Sequence, residues 1–319
     1  MFRLNVARSA AEIESLSSVW DSLLGPDLTL FQSFRWNRLA AQIFGDREQP
    51  HFIFAESDNG AAIVPSVIVG KTQTISFAGE CLFDYRDYLT RGDHTPLIAS
   101  WQKLASLNLP LCATAIYRAE LEVWDHLPKQ FFSRAPRLER NAISAEEFAH
   151  SHSRAFSRLR KLERMGLRIQ QYSGTSPVVH EIYTRRAAQS SEGELFHDRR
   201  RVEFMIAACR EEGARCEVFS LEHGSTLAAA LVTFRDGEYR RFYTTYYDHR
   251  WARFSPGVSL LFEVSRRSLE QGISFDMMTG EQAYKLRIAR SAQDLFTVNA
   301  SASQLRKLFP GALPAGKAA

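Results

Sequence analysis

Hydrophobic positions along this chain change period several times, and each change marks an element. Ile13, Leu16, Trp20 and Leu23 share one helical face behind Ser9 and Glu12, which have the spacing of a capping box. After Ser33 the period returns with Trp36, Leu39, Ala40 and Ile43, predicting a second helix. Residues 51–57 and 61–70 read as strands around an Asp58-Asn59-Gly60 turn. Pro65 cannot donate to a ladder, so the second of these strands is expected at a sheet edge or a bulge. A strand over 74–79, an aromatic and acidic loop over 83–88, a helix over 95–108 and a strand over 109–117 complete the first half.

Periodicity lapses over 127–141, where Pro128 and Pro136 fall, and the spacing places a domain boundary after residue 136. Ser144 and Glu147 then open a long helix over 146–165, closed by Gly166. A strand over 167–172 and helices over 178–189 and 200–212 precede three antiparallel strands over 215–222, 227–234 and 238–247. Beyond the break at 254–257, Val258, Leu261, Phe262, Ser265 and Leu269 recur at helical spacing up to Gly272, and 273–278 is a short apolar strand. Strand, helix and strand form a βαβ unit. Its helix begins at the carboxyl ends of the strands, where unpaired N–H groups and the helix dipole favour an anion, although most such turns hold nothing. Ser255, Gly257, Val258 and Ser259 lie at that start. A strand over 293–300 follows, and 304–319 is expected to be disordered.

The order of motifs here is specific. Tyr246-Tyr247-Asp248, Phe254-Ser255-Pro256-Gly257, the helix ending in Gly272, Phe275-Asp276, and Gly280-Glu281 followed by Tyr284-Lys285 resemble the acetyltransferase domain of the CelD/BioF-like group. That group belongs to the GNAT superfamily and is related to the Fem-type aminoacyl transferases. The likeness is densest over 215–290 and extends loosely back to Ala155. It implies an α/β fold with a mixed sheet and tandem GNAT-like halves, 1–136 degenerate and 137–303 active, each a mostly antiparallel sheet. Only the second half carries the βαβ cofactor unit, because the first half lacks a phosphate-loop sequence.

The resemblance also implies chemistry. An acyl group would pass from acetyl-CoA or another acyl-CoA to an amine or hydroxyl of a small molecule, sugar or envelope precursor, since CelD-like relatives are associated with polysaccharide synthesis. Aminoacyl-tRNA as donor is the alternative, and a catalytically silent GNAT scaffold is another. Tyr284 is expected as the acid for the departing thiolate, with Lys285 on phosphate or oxyanion, against Tyr in the core and Lys reaching water. Asp276, in an apolar strand, is either a base or the structural partner of Lys285 or Arg287, and Glu281 is a weaker candidate base. Phe254, Ser255, Gly257, Val258, Ser259 and Tyr247 are expected around the cofactor. Asp84 and Tyr85 of the 83–88 loop, Glu192, Glu194 and His249 are expected around the acceptor, the acidic pair suiting an amine. FSPGVS departs from the usual GNAT pyrophosphate motif: Pro256 removes one donor and Ser259 replaces the last small residue.

Composition adds bounds. The 319 residues, 45% hydrophobic and 24% charged, suit a globular chain of two ordinary domains or one large one. A net charge of +4 is too small by itself to argue for nucleic acid. Its distribution is more informative, since Arg154, Arg158, Arg160, Lys161, Arg164 and Arg168 stand against a single Glu163 over 154–168. This is either a solvated helix face or a surface for the phosphates of CoA or tRNA. Cys81, Cys112, Cys209 and Cys216 show no metal-ligand spacing, so no metal is expected. Cys209 falls on an apolar helix face as a small hydrophobe. With no long apolar segment, the chain is expected to be cytoplasmic and without a membrane span; its oligomeric state is open.

Overall fold

A computed structural model of the chain describes residues 2–120 and 122–310. It divides into two compact units, one running to Ser133 and resuming at Asp294, the other spanning Arg134–Gln293.

In the first unit, β1 (Arg3–Ala7) precedes α1 (Ala10–Glu14), α2 (Ser17–Leu23) and α3 (Phe34–Phe44). The Ser9/Glu12 capping box is formed, and Ser33 caps α3. Next come β2 (Glu48–Pro50), β3 (Phe52–Glu56), β4 (Gly60–Val64), β5 (Ser66–Val69), β6 (Thr74–Phe77), β7 (Leu89–Gly92), α4 (Thr95–Ala105), β8 (Leu111–Ile116) and α5 (Glu122–Asp125). β4 pairs with both β3 and β7, so it is interior rather than an edge. Pro65 instead sits where the chain leaves that sheet for another, in which β5 lies between β2 and β6; the missing N–H falls where no ladder partner is needed.

The 127–141 stretch, expected to be irregular, contains β9 (Lys129–Leu138). In the second unit, Ser144 caps α6 (Ala145–Ser151), but the expected long helix is interrupted at His152 before α7 (Ser153–Arg164). The His152 ring nitrogens lie 2.9 and 3.0 Å from the Phe148 and Arg287 carbonyl oxygens. β10 (Arg168–Ser173), α8 (Pro177–Ala188) and α9 (Arg199–Glu212) lead into the meander of β11 (Cys216–His223), β12 (Thr226–Asp236) and β13 (Tyr239–Tyr247). α10 (Pro256–Glu270), β14 (Ser274–Asp276) and α11 (Ala283–Ile288) follow. The strand order is β10-β11-β12-β13-β14, with the end of β9 beside β14, and only β13 and β14 run parallel.

β15 (Ser291–Ala300), expected to close the second half, pairs through Phe296–Ala300 with β8 of the first unit. Part of the expected tail is ordered: α12 (Ala302–Leu308) has a capping box between Ser301 and Gln304 and buries Leu305. Residues 311–319 lie outside those described.

Each unit has its own core. Trp101, Trp124, Ile53 and Ile116 lie at the centre of the first. In the second, Phe156, Leu159 and Leu162 of α7 and Leu260, Leu261 and Val264 of α10 pack with Leu231 and Phe275. Burying side chains of this size stabilises a core by about 1.5–3 kcal/mol each.

Candidate functional site

The parallel strands β13 and β14 touch over only three pairs, Tyr239–Arg241 against Ser274–Asp276. β13 then runs on to Tyr247, whereas the chain leaves β14 through Met278, whose φ is +59°. A bulge increases the divergence: Val232 faces Thr244 and Thr233 faces Phe242, so Tyr243 is the extra residue in β13.

Charge fixes the closed end of this pair. Arg241 is 2.5 Å from Asp236 and 2.6 Å from Asp276, and Arg137 approaches the same Asp276 carboxylate at 3.5 Å. The Met278 N–H donates to Asp276 at 2.8 Å. Arg240, fully buried, donates to Glu217, Ser268 and Gln271. Asp276 therefore has structural partners other than the expected Lys285 or Arg287; its burial beside two guanidiniums suits a clamp more than a base.

At the open end lies a cavity of about 250 Å³, lined mainly by Phe242, Thr245, Tyr247, Val258, Leu261 and Tyr284. Ser255, Pro256 and Gly257, at the start of α10, also line it. Ser255 is left-handed (φ +49°, ψ +54°), and no side chain caps the helix. The Ser259 N–H already reaches the Ser255 carbonyl at 3.0 Å, and Pro256 has no N–H. The Gly257 and Val258 N–H groups are thus left as the uncapped donors of the first turn. A Cβ on Gly257 would come within 3.3 Å of Thr245 Oγ1, so glycine permits the close approach of helix and strand here.

Ser255, Gly257, Val258, Tyr247 and Tyr284 thus line one cavity. Burial raises the Tyr284 hydroxyl above its ordinary pKa, and the Arg186 charge opposes this rise. Other candidates lie apart. Ser259 is buried in the helix, and Phe254 faces a neighbouring groove with Arg158, Lys161, Met165 and Arg253. Lys285 is buried, donating to the Thr279 and Met278 carbonyls at 2.6 and 3.4 Å above the Phe242 ring. Glu281 is exposed, 3.9 Å from Arg134. His249 packs edge-on against Tyr247 at 5.3 Å. Glu192 is exposed in the α8–α9 connection, and Glu194 accepts from the Ser191 N–H within the same loop. In the first unit Tyr85 is fully buried against Phe31 and Tyr117 rather than presented on a surface loop, and Asp84 is partly buried.

Thr245, Phe242 and Leu261 were not among the sequence candidates. Thr245 alternates with Tyr247 on its strand and Leu261 follows Gly257 by one helical turn, so both carried a readable signal. Among the described residues no three His, Cys, Asp or Glu side chains are grouped to hold a metal ion, and no helix is long and apolar enough to cross a membrane.

Residues 149–286 match the family model described as an acetyltransferase (GNAT) domain. The chain has a tandem GNAT fold. It is similar to the C-terminal domain of a putative lysylphosphatidylglycerol synthetase from Agrobacterium fabrum, with 12% identity and a TM-score of 0.61 over 94% of this chain and 96% of that one. FemX superposes at a TM-score of 0.59 with 11% identity, covering 96% and 99% of the two chains. A tandem GNAT protein of the clavulanic acid biosynthesis pathway gives 0.55 with 10% identity over 95% and 99%. At such identities these likenesses concern the fold. No curated protein sequence matches the chain significantly. Within the matched residues, β13 and β14 are the parallel strands and α10 the helix between them.

Proposed function

We propose that the second unit transfers an acyl group from acyl-CoA to an amine or hydroxyl. The observation that carries this reading is the uncapped start of α10 opening on a cavity between diverging parallel strands. The Gly257 and Val258 N–H groups would receive the donor's pyrophosphate, with the helix dipole adding to the attraction. The apolar walls at Phe242, Val258 and Leu261 suit the pantetheine arm. Holding donor and acceptor in one geometry supplies much of the rate enhancement.

Chemically, the acceptor's lone pair attacks the thioester carbonyl, and the C–S bond breaks with its electron pair moving to sulfur. Tyr284 gives its proton to that thiolate, and the phenolate recovers one from the newly acylated nitrogen or oxygen. Lys285 and Asp276 maintain the backbone and strands that position this hydroxyl. A small-molecule, sugar or envelope-precursor acceptor follows from the family resemblance, and use of the CoA pool is consistent with a cytoplasmic reaction.

Calorimetric titration with acetyl-CoA and desulfo-CoA tests the reading. Saturable binding of both is expected, and absence of both contradicts it. Once an acceptor is in hand, Tyr284→Phe is expected to lower kcat by about 10²-fold or more without weakening desulfo-CoA binding. An unchanged kcat would remove Tyr284 from the chemistry.

One feature favours a second reading, with aminoacyl-tRNA as donor. Arg158, Lys161 and Arg253 line an open groove of about 660 Å³ beside Phe254, whose ring has Lys161 and Arg253 at 5.3 and 4.6 Å. Cations interleaved with an aromatic suit a polynucleotide end. A tRNA gel shift that weakens steeply with salt, in a chain blind to CoA, would favour this donor.

A further inference from the structure

Many cations of the second unit are matched by a carboxylate. Arg250 pairs with Asp248, Arg185 with Glu181, and Arg266 and Arg267 share Glu263. Arg158, Lys161 and Arg253 are different: among the described residues none of these three side chains makes an ion pair or a hydrogen bond. All three line one open groove of about 660 Å³ with Met165 and Phe254, and no acidic residue lines it. Lys161 and Arg253 lie 5.3 and 4.6 Å from the centre of the Phe254 ring, which holds them in place while leaving their N–H groups for another partner. Like charges gathered without a counter-charge repel one another, and an arriving anion relieves that repulsion.

Position adds to this. Phe254 lines the groove, and Ser255, the next residue, lines the cavity. Successive Cα atoms are about 3.8 Å apart, so groove and helix start meet at that peptide. The start of α10 offers only the Gly257 and Val258 N–H groups, since Pro256 has none and the Ser259 N–H is bonded to the Ser255 carbonyl. Two neutral donors are few for a diphosphate, so a ligand with one more phosphate gains from the adjacent cations. In CoA that group is the 3′-phosphate, on the same ribose whose 5′-carbon bears the diphosphate.

We propose that Arg158, Lys161 and Arg253 form a subsite for the 3′-phosphate of the CoA donor, so that the protein selects CoA over its 3′-dephospho form. The proposal rests on the acyl-CoA reading above and adds to it an anchor away from the thioester. A phosphomonoester carries close to two negative charges at neutral pH, against one for each bridging phosphate of a polynucleotide, and three clustered cations favour the denser charge. The anchor touches no reacting atom, so it governs donor affinity rather than the chemical step.

Calorimetric titration with desulfo-CoA and 3′-dephospho-desulfo-CoA is the test. The first is expected to bind about 10-fold or more tightly than the second. Arg158→Gln and Arg253→Gln should each narrow that gap by weakening desulfo-CoA while leaving the dephospho form unaffected. Arg154→Gln removes an exposed cation one turn earlier on α7 that does not line the groove, and should leave the gap as it was. All these side chains are exposed, so folding should be unaffected. Equal affinities for the two ligands overturn the proposal and leave the acyl-CoA reading standing. So does a gap that Arg154→Gln narrows as much as Arg158→Gln, because a diffuse positive field then accounts for it. If neither ligand binds, the acyl-CoA reading falls and the proposal with it, and a tRNA gel shift abolished by Arg158→Gln would assign the groove to a polynucleotide instead.

Discussion

Both units contain a pair of parallel strands joined by a crossover, and they use it in opposite ways. In the second unit β13 and β14 separate beyond Arg241 and Asp276, and the uncapped start of α10 faces the resulting cavity. In the first unit β6 and β8 are paired at Ile75 and Leu111, and the chain after β6 itself joins the sheet. Arg86 forms a parallel bridge with Ile116, its N–H reaching the Ala115 carbonyl at 2.8 Å and its buried side chain donating to Thr114. The first-turn Thr95 N–H of α4 is taken by the Asp93 carboxylate at 2.8 Å. One helix start leaves its first-turn donors uncapped, and the other supplies its own carboxylate. Local chemistry at the helix start and the path of one loop separate a candidate site from a structural copy.

The largest expected effect comes from filling the open side. Gly257→Trp should reduce desulfo-CoA affinity by about 100-fold or more by calorimetry, because the indole has nowhere to go but the cavity. Unchanged affinity would move the site elsewhere. Next is the clamp at the closed end: Asp276→Ala removes the buried carboxylate that Arg241 and Arg137 share, leaving Arg241 its Asp236 pair, and should cost about 3 kcal/mol in denaturant unfolding of the second unit. A loss below 1 kcal/mol would mean that the pair does not hold the strands together.

Acid should distinguish the units. Burial, with Arg8 and Lys103, holds His51 of the first unit down to about 4. The unfolded chain therefore takes up that proton first, and the first unit should lose on the order of 2 kcal/mol between pH 6.5 and 4. In the second unit burial pushes Glu263 up, but Arg266 and Arg267 outweigh it and leave its carboxyl below the usual 4.5. Its contribution is present at neutral pH and is lost only as pH falls below that value. Amide exchange at pH 7 and 5 should show loosening in the first unit alone, and His51→Asn should remove the difference. Equal loosening in both units would contradict it. Asp93→Ala should have the smallest effect, a slight loosening of the start of α4 with no new desulfo-CoA binding, since the 78–88 segment still fills the strand gap.

Much of this contrast was legible in the sequence. The helix and Gly257 stood out because a 3.6-residue period and a glycine at a helix start have local causes, whereas Tyr284 was named only through the family resemblance. The absence of a phosphate loop in the first half was also readable. The 83–88 stretch was not: its aromatic and charged residues look like a surface loop, and only pairing with distant Ala115 and Ile116 buries them. Pro65 signalled an interruption, but whether that means an edge or a change of sheet depends on long-range partners. Asp276 in an apolar strand called for a partner, and Arg241 and Arg137 lie 35 and 139 residues away in sequence.

The most direct test of the contrast is backbone amide NMR during addition of desulfo-CoA. Saturable shifts of the Gly257 and Val258 amides, with Thr95 unmoved, are the expected result. Shifts centred on Thr95 and the first unit, or none at Gly257 and Val258 under saturating ligand, would contradict the assignment of the open helix start as the donor site.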